Sequence, residues 1–458
     1  MEIKYELLNA VESNFNELIE LFQSIIKIDT SNPPGNEVKL AEHLYNVLSR
    51  EGINCEIIES SPNRGNIIAK INGESNKRLM YLSHLDVVPA QNPELWKYPP
   101  FSGYIEGNWI YGRGAIDCKS MVASMLYSLI ILKRLNIKPK FTLIFVSTAD
   151  EEMGGRVGLG WLIEHYPEKV KAEYVINEGG GLPLKLKEKH LVYLVDVAEK
   201  GACWIKVKFK GRSGHASIPQ FKDNALIRLG EAIIRISKFR VPPYYVEAVK
   251  ILIEELLILQ LGFKGKLISK LIMSPIGELI LSRMEKNQPE FTSFLKAITR
   301  MTMTPTIVKG GVKENVIPSE CELTIDCRIL PGQDEKYVIK MINKVLSGIS
   351  GYEVHIKTCS QASSSPINKF FLNSIESTMK TIIPNYNVKL APYILPASSD
   401  SRYLRRLGAI VYGFAPLNPE IDYREIMGLA HGVNERIDIE SLKVMCKFFT
   451  LLPCKIGA

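Results

Sequence analysis

Arg78-Leu-Met-Tyr-Leu-Ser83 runs directly into His84-Leu-Asp86. An apolar, β-prone run that stops at a histidine and a carboxylate reads as a strand delivering chemistry at its end. The pattern recurs twice. Phe141-Thr-Leu-Ile-Phe-Val-Ser147 leads to Asp150-Glu151-Glu152, and Tyr174-Val-Ile-Asn177 leads to Glu178 and three glycines. Helical spacing separates such runs, at about 36–50, 120–135 and 157–166, so the pattern is that of an α/β sheet. Ligands of such sheets bind beyond the carboxyl ends of the strands, and here three strands bring His, Asp and Glu to one edge. Alternate strand residues share a face, which puts His84 and Asp86 on one side. Asp86 can then accept the second imidazole N–H and fix which nitrogen faces a metal.

The chain has 458 residues, more than one core usually serves, so two domains are expected. Apolar residues make up 46% and charged residues 23%, which excludes a disordered or fibrous chain. The most apolar stretch, Ile251–Met273, is broken by Glu254, Glu255, Lys264, Lys266 and Lys270. It reads as amphipathic helix rather than a span, and no membrane partner is expected. The N-terminal residues carry acids and no apolar signal core, so export is not expected. The net charge of +8 is spread along the chain without basic runs, which argues against nucleic acid. The eight cysteines form no CxxC pair. They suit a reduced, cytoplasmic protein whose thiols act mostly as small apolar groups.

Other polar residues stand out by position. Asp117 lies just before a helix starting near Lys119, where by itself it would serve as an N-cap. His431 sits in Leu429-Ala-His431-Gly-Val-Asn-Glu435, ahead of a final helix at about 439–451, where a loop can present its ring to a cleft. The run His84-Leu-Asp86-Val-Val-Pro89, then Trp96, Pro100-Phe101-Ser-Gly103 and Tyr111-Gly-Arg-Gly-Ala-Ile-Asp117, resembles a family of dinuclear zinc hydrolases. Carboxypeptidase G, aminoacylase, acetylornithine deacetylase and succinyl-diaminopimelate desuccinylase belong to it. Asp150-Glu-Glu-Met-Gly-Gly155, Ser213-Gly-His215, Asn315-Val-Ile-Pro318, Asp326-Cys-Arg328-Ile-Leu-Pro-Gly332 and His431-Gly-Val-Asn-Glu435 continue the resemblance in the family's order.

The resemblance implies a site and a fold. His84 and Glu178 would hold one metal, Glu152 and His431 the other, and Asp117 would bridge them through a loop with a cis Asp117–Cys118 bond. Glu151 would be the general base that activates a metal-bridged water, and Asp86 the partner of His84. Asn315 and Arg328 would bind substrate, and His215 would reach a partner subunit's site to support the oxyanion. Zinc suits this oxygen and nitrogen set, with cobalt or manganese as substitutes. The implied architecture is a catalytic mixed-sheet sandwich (1–199 and 365–458) interrupted by an inserted α+β lid and dimerisation domain (200–364). The lid would be βαββαβ, lengthened by helices at about 243–298 as in the carboxypeptidase S-like branch. The implied activity is hydrolysis of an amide bond next to a free carboxylate, in a small peptide or an N-acyl amino acid, by a cytoplasmic homodimer. An aminopeptidase on the same metal site is the nearest rival. A non-catalytic binding protein on this fold is the rival of another class, and it sits poorly with a complete ligand set.

Overall fold

The computed structural model describes residues 2–187, 189–219, 221–287, 289–422, 425–426 and 428–457. Its largest element is a ten-stranded mixed sheet. The strands Phe141–Thr148, Ser75–His84 and Tyr174–Asn177 are adjacent and parallel in its middle. Their register pairs His84 with Thr148 and Tyr81 with Ile176, so the three carboxyl ends are level. Strands covered on both faces read as continuous apolar runs, and the alternation shows only in where each side chain goes. Leu79, Tyr81, Leu143, Phe145 and Ile176 pack on one face, beneath the helices Phe15–Ile26, Val38–Arg50, Lys119–Arg134 and Ile439–Lys455. Met80, Leu82, Ile144, Val146 and Val175 pack on the other, against Leu159, Leu162 and Leu404. The helix Lys119–Arg134 is buried from Lys119 through Leu132, which explains its apolar character all round. Truncating one of its core residues, such as Leu126, costs about 2–5 kcal/mol.

A second sheet has its own core. Its four strands run in the order Thr302–Gly310, Glu320–Ile329, Gly201–Lys210 and Tyr352–Cys359, all antiparallel. Cys203, Ile205, Val207 and Phe209 alternate inward, each 0% exposed, as the sequence spacing indicates. The helices Ala225–Lys238 and Glu335–Val345 cover that face, N-capped by the side chains of Asn224 and Asp334. Along the chain the order is strand, helix, strand, strand, helix, strand. The chain re-enters the large sheet at Ser363–Ser364, paired with Glu199 and Ala198.

Between the helix Ala225–Lys238 and the strand Thr302–Gly310, inside the segment that builds the four-stranded sheet, lie four more helices, Glu247–Leu261, Phe263–Ile272, Gly277–Asn287 and Pro289–Thr299. The first packs on the strand Asn387–Leu395 of the large sheet. The single amphipathic helix read over Ile251–Met273 is therefore two, broken at Gly262 (φ +62°, ψ −140°), a backbone conformation open to glycine alone. Cys203 and Cys359 face each other on adjacent strands and form a disulfide. The sequence reading has thiols there, and a pair 156 residues apart leaves no local signature. The other six cysteines are free. Among the described residues, no helix is long and apolar enough to cross a membrane.

Candidate metal centre

Two histidines from opposite ends of the chain meet across one aspartate. His84, the last residue of its strand, is 1% exposed, with Nε2 3.0 Å from Asp117 Oδ1 and 3.4 Å from Glu178 Oε2. His431 Nε2 lies 3.0 Å from Asp117 Oδ2 and 3.2 Å from Glu152 Oε1. The donor atoms of each triad fall within 4.8 Å of one another, and Asp117 belongs to both. Cys118 neighbours the first triad, but its Sγ is engaged with the main chain of His84. Burial pushes that thiol up to about 12, although its Sγ lies within the first cluster of candidate ligand atoms.

The supports are as specific as the ligands. His84 Nδ1 donates to the main-chain oxygen of Asp86 at 2.9 Å, with the Asp86 carboxylate farther off at 3.5 Å. Asp86 thus meets the imidazole first through its main chain. Its carboxylate instead accepts the N–H groups of Glu151 and Glu152, each at 3.1 Å, and the Asn32 side-chain amide at 2.8 Å. One buried aspartate thus fixes the turn Glu151–Met153 that follows the strand Phe141–Thr148. Beside the turn, Gly155 (φ +65°) approaches Asp400 so closely that a Cβ would stand 2.1 Å from its Oδ1. On the other side, the Glu435 carboxylate accepts the N–H groups of Gly114, Ile116 and Asp117 at 3.1, 2.9 and 3.1 Å. Arg113 Nη1 donates to Glu435 at 2.6 Å and its Nη2 to the main-chain oxygen of His431 at 3.1 Å. This buried pair ties the loop of Asp117 to the loop of His431, and the Asp117–Cys118 bond is cis.

The electrostatics describe a pocket of negative charge that wants a cation. Burial pushes Glu178 up to about 7, with Asp117 and Glu152 adding to the shift. Burial raises Glu151 well above the carboxylate range, helped by Glu178 and Asp400. The carboxylates of Asp117 and Glu152 beside it push His431 up to about 10. Burial opposes charging of His84, yet the negative groups around it win and its pKa rises. Burial also disfavours the Asp117 anion, but the two imidazoles hold it far below its ordinary range. Glu152 Oε1 is buried and has no hydrogen bond, although His431 lies beside it. Lone pairs that aim at a shared space rather than at protein donors fit a metal ion, as does the mixed imidazole and carboxylate set.

His215, Asn315 and Arg328 lie apart from this cluster. His215 is exposed on the short strand Gly214–His215, its Nδ1 2.7 Å from Ser217 Oγ. Asn315 is exposed beside it, accepting the Ala216 N–H through its main-chain oxygen at 3.0 Å. Arg328 is held in a fork by Asp326, at 2.8 and 3.1 Å. Among the described residues, no hydrogen bond or ion pair joins any of the three to the ligand triads. Sequence reasoning assigns no role to Asn32, Asp400, Arg113 or Glu435. Arg113 and Glu435 both stood inside quoted motifs, and two opposite charges close to separate ligands were the available signal.

Residues 80–454 match the peptidase family M20/M25/M40. The chain belongs to that family. It is 30% identical over 387 residues to a probable carboxypeptidase S-like 2 of Dictyostelium discoideum, covering 82% of this chain and 71% of that one. It is 27% identical over 449 residues to the human N-fatty-acyl-amino acid synthase/hydrolase PM20D1, covering 94% and 86%. An M20 metallo-carboxypeptidase of Sulfolobus solfataricus has the same fold, with a TM-score of 0.65 at 21% identity, covering 95% of this chain and 99% of that one. The M20 protein is thus a metal-dependent hydrolase of amide bonds, on an α/β fold that the family's catalytic and lid layout describes.

Proposed function

We infer that this M20 enzyme cleaves an amide bond next to a free carboxylate, in a small peptide or an N-acyl amino acid. The observation that carries the reading is Asp117, which presents one oxygen to each of two histidines at 3.0 Å. In this reading His84 and Glu178 would hold one divalent ion and Glu152 and His431 the other, with Asp117 offering an oxygen to each side. Zinc is the proposed metal, with cobalt or manganese able to replace it. When bound, such ions polarise the scissile carbonyl and make water acidic enough to attack near neutral pH.

The protein's own groups do the rest. Glu151, pushed up by burial, removes a proton from the attacking water and hands it to the leaving nitrogen. Asp86 holds the main chain of that base and of the ligand Glu152 in one turn. Arg328, its guanidinium plane set by Asp326, takes the substrate's carboxylate, and Asn315 binds beside it. Segment 200–364 acts as the inserted lid on a catalytic unit formed by 1–199 and 365–458. The lid pairs two copies of the chain, so that His215 donates an imidazole N–H to the oxyanion in its partner's site. That placement would account for an exposed histidine on the short strand Gly214–His215 whose side-chain partner, among the described residues, is Ser217. A cytoplasmic location is the proposed compartment; the six free cysteines favour it and the one disulfide weighs against it.

Metal analysis combined with a panel of dipeptides, C-terminally amidated dipeptides and N-acyl amino acids tests the reading. Turnover only of substrates with a free carboxylate is expected. Turnover of the amidated peptides alone would favour an aminopeptidase.

A further inference from the structure

The helix Phe263–Ile272 is built with its large apolar residues facing out. Gly265, Ser269 and Ile272 form its buried side. A Cβ at Gly265 would meet the Leu257 main-chain oxygen at 2.0 Å, so the helix lies hard against Glu247–Leu261 through its smallest residues. Phe263, Leu267 and Leu271 point away from that contact and are 90%, 62% and 39% exposed. Spaced four apart, they form one stripe along the helix. At 100° per residue, Lys266 and Lys270 flank the stripe on one side and Lys264 on the other, and all three are exposed. Leu261, Ile276 and Leu279 extend the apolar surface at 48%, 49% and 68% exposure. No acid occurs between Glu255 and Glu278. Among the described residues the only ion pair of these lysines joins Lys266 to Glu254, at 3.7 Å.

We propose that this helix lies in the headgroup layer of an anionic lipid surface, with Phe263, Leu267 and Leu271 at the acyl boundary and the three lysines at the lipid phosphates. Lysine stems can follow an apolar stripe while their ammonium groups reach outward, which suits a water–lipid boundary. A second copy of the chain fits this face less well. A two-fold contact sets the same patch against itself, and six lysines, of which only the Lys266 pair has an acid (Glu254) beside it among the described residues, would then face one another. Expecting no membrane partner rested on the missing span, and a helix lying in the interface needs none. The inference is independent of the hydrolytic reading.

The test sediments the full-length protein with phosphatidylcholine vesicles, with and without phosphatidylglycerol. Binding to the anionic vesicles, weakening as salt is raised, is expected. The triple change Lys264→Ala, Lys266→Ala and Lys270→Ala should weaken it about a hundredfold, at about fivefold for each charge. Phe263→Ser with Leu267→Ser and Leu271→Ser should abolish it, while melting temperature and bound metal stay as in the unaltered protein. Failure of the unaltered protein to bind anionic vesicles would overturn the proposal, as would equal binding by both variants. So would a dimer in sedimentation velocity that the Phe/Leu variant dissolves while no vesicle binding is seen.

Discussion

At the carboxyl edge of the ten-stranded sheet, the loops of the candidate ligands are fastened by buried groups; on the two-stranded ribbon of Gly214–His215 and Val316–Ile317, the His215 ring has, among the described residues, Ser217 as its side-chain partner. Asp86 and Glu435 are both 0% exposed, and each accepts main-chain N–H groups of ligand-bearing loops. The candidate ligand cluster is therefore held by groups of its own chain, as a site needs when its geometry must hold to a fraction of an ångström. The lid residues have no such backing. Arg328 spends its fork on a neighbouring aspartate, and His215 and Asn315 stand in solvent. Under the proposed function, what these residues contribute would be completed by substrate, by a second copy, or by both.

The largest effect should come from inside the cluster. Glu151→Ala removes the proton carrier and no ligand, so turnover should fall by about 10²–10⁴-fold with bound metal unchanged. Glu152→Ala should lose metal as well. Turnover and metal content measured together separate them, and equal metal loss in both would break the assignment. Glu435→Ala should come next. It leaves Arg113 buried and unpaired, which costs about 3–5 kcal/mol of folding stability, readable by denaturant titration. A loss below about 1 kcal/mol would mean that the pair does not hold the two loops.

On the lid, His215→Ala should lower turnover by about 10²-fold or more without touching metal content. Subunit exchange sharpens the contrast. Mixing inactive His215→Ala with inactive Glu151→Ala should restore activity, because one site in the mixed dimer has both groups. Mixed dimers that stay inactive would place His215 outside the partner's site. Arg328→Lys should show the smallest change, about a tenfold rise in KM with little change in kcat, since an ammonium cannot reproduce the two-pronged fork. An unchanged KM for substrates with a free carboxylate would remove Arg328 from binding.

The sequence shows the cluster and hides its supports for the same reason. His84, Glu151, Glu152 and Glu178 interrupt apolar strands, and a polar group at the end of such a run stands out in one dimension. The alternation of Cys203, Ile205, Val207 and Phe209 is equally local. The Arg113–Glu435 pair spans 322 residues, and the partners of the Asp86 carboxylate include main-chain amides, which have no residue identity to read. The Cys203–Cys359 pair is hidden likewise, because two strands far apart in sequence must first become neighbours. Gly262 was visible as a glycine, but its left-handed φ of +62°, which splits one helix into two, belongs to the backbone alone.

The central claim is that one chain holds two metal ions through a shared Asp117. Titrating metal-stripped protein with zinc, by calorimetry and by counting bound ions after dialysis, tests it most directly. Two ions per chain are expected for the unaltered protein, with weakened binding of both in Asp117→Ala. A single ion per chain, or unchanged binding of either ion in the variant, would contradict it.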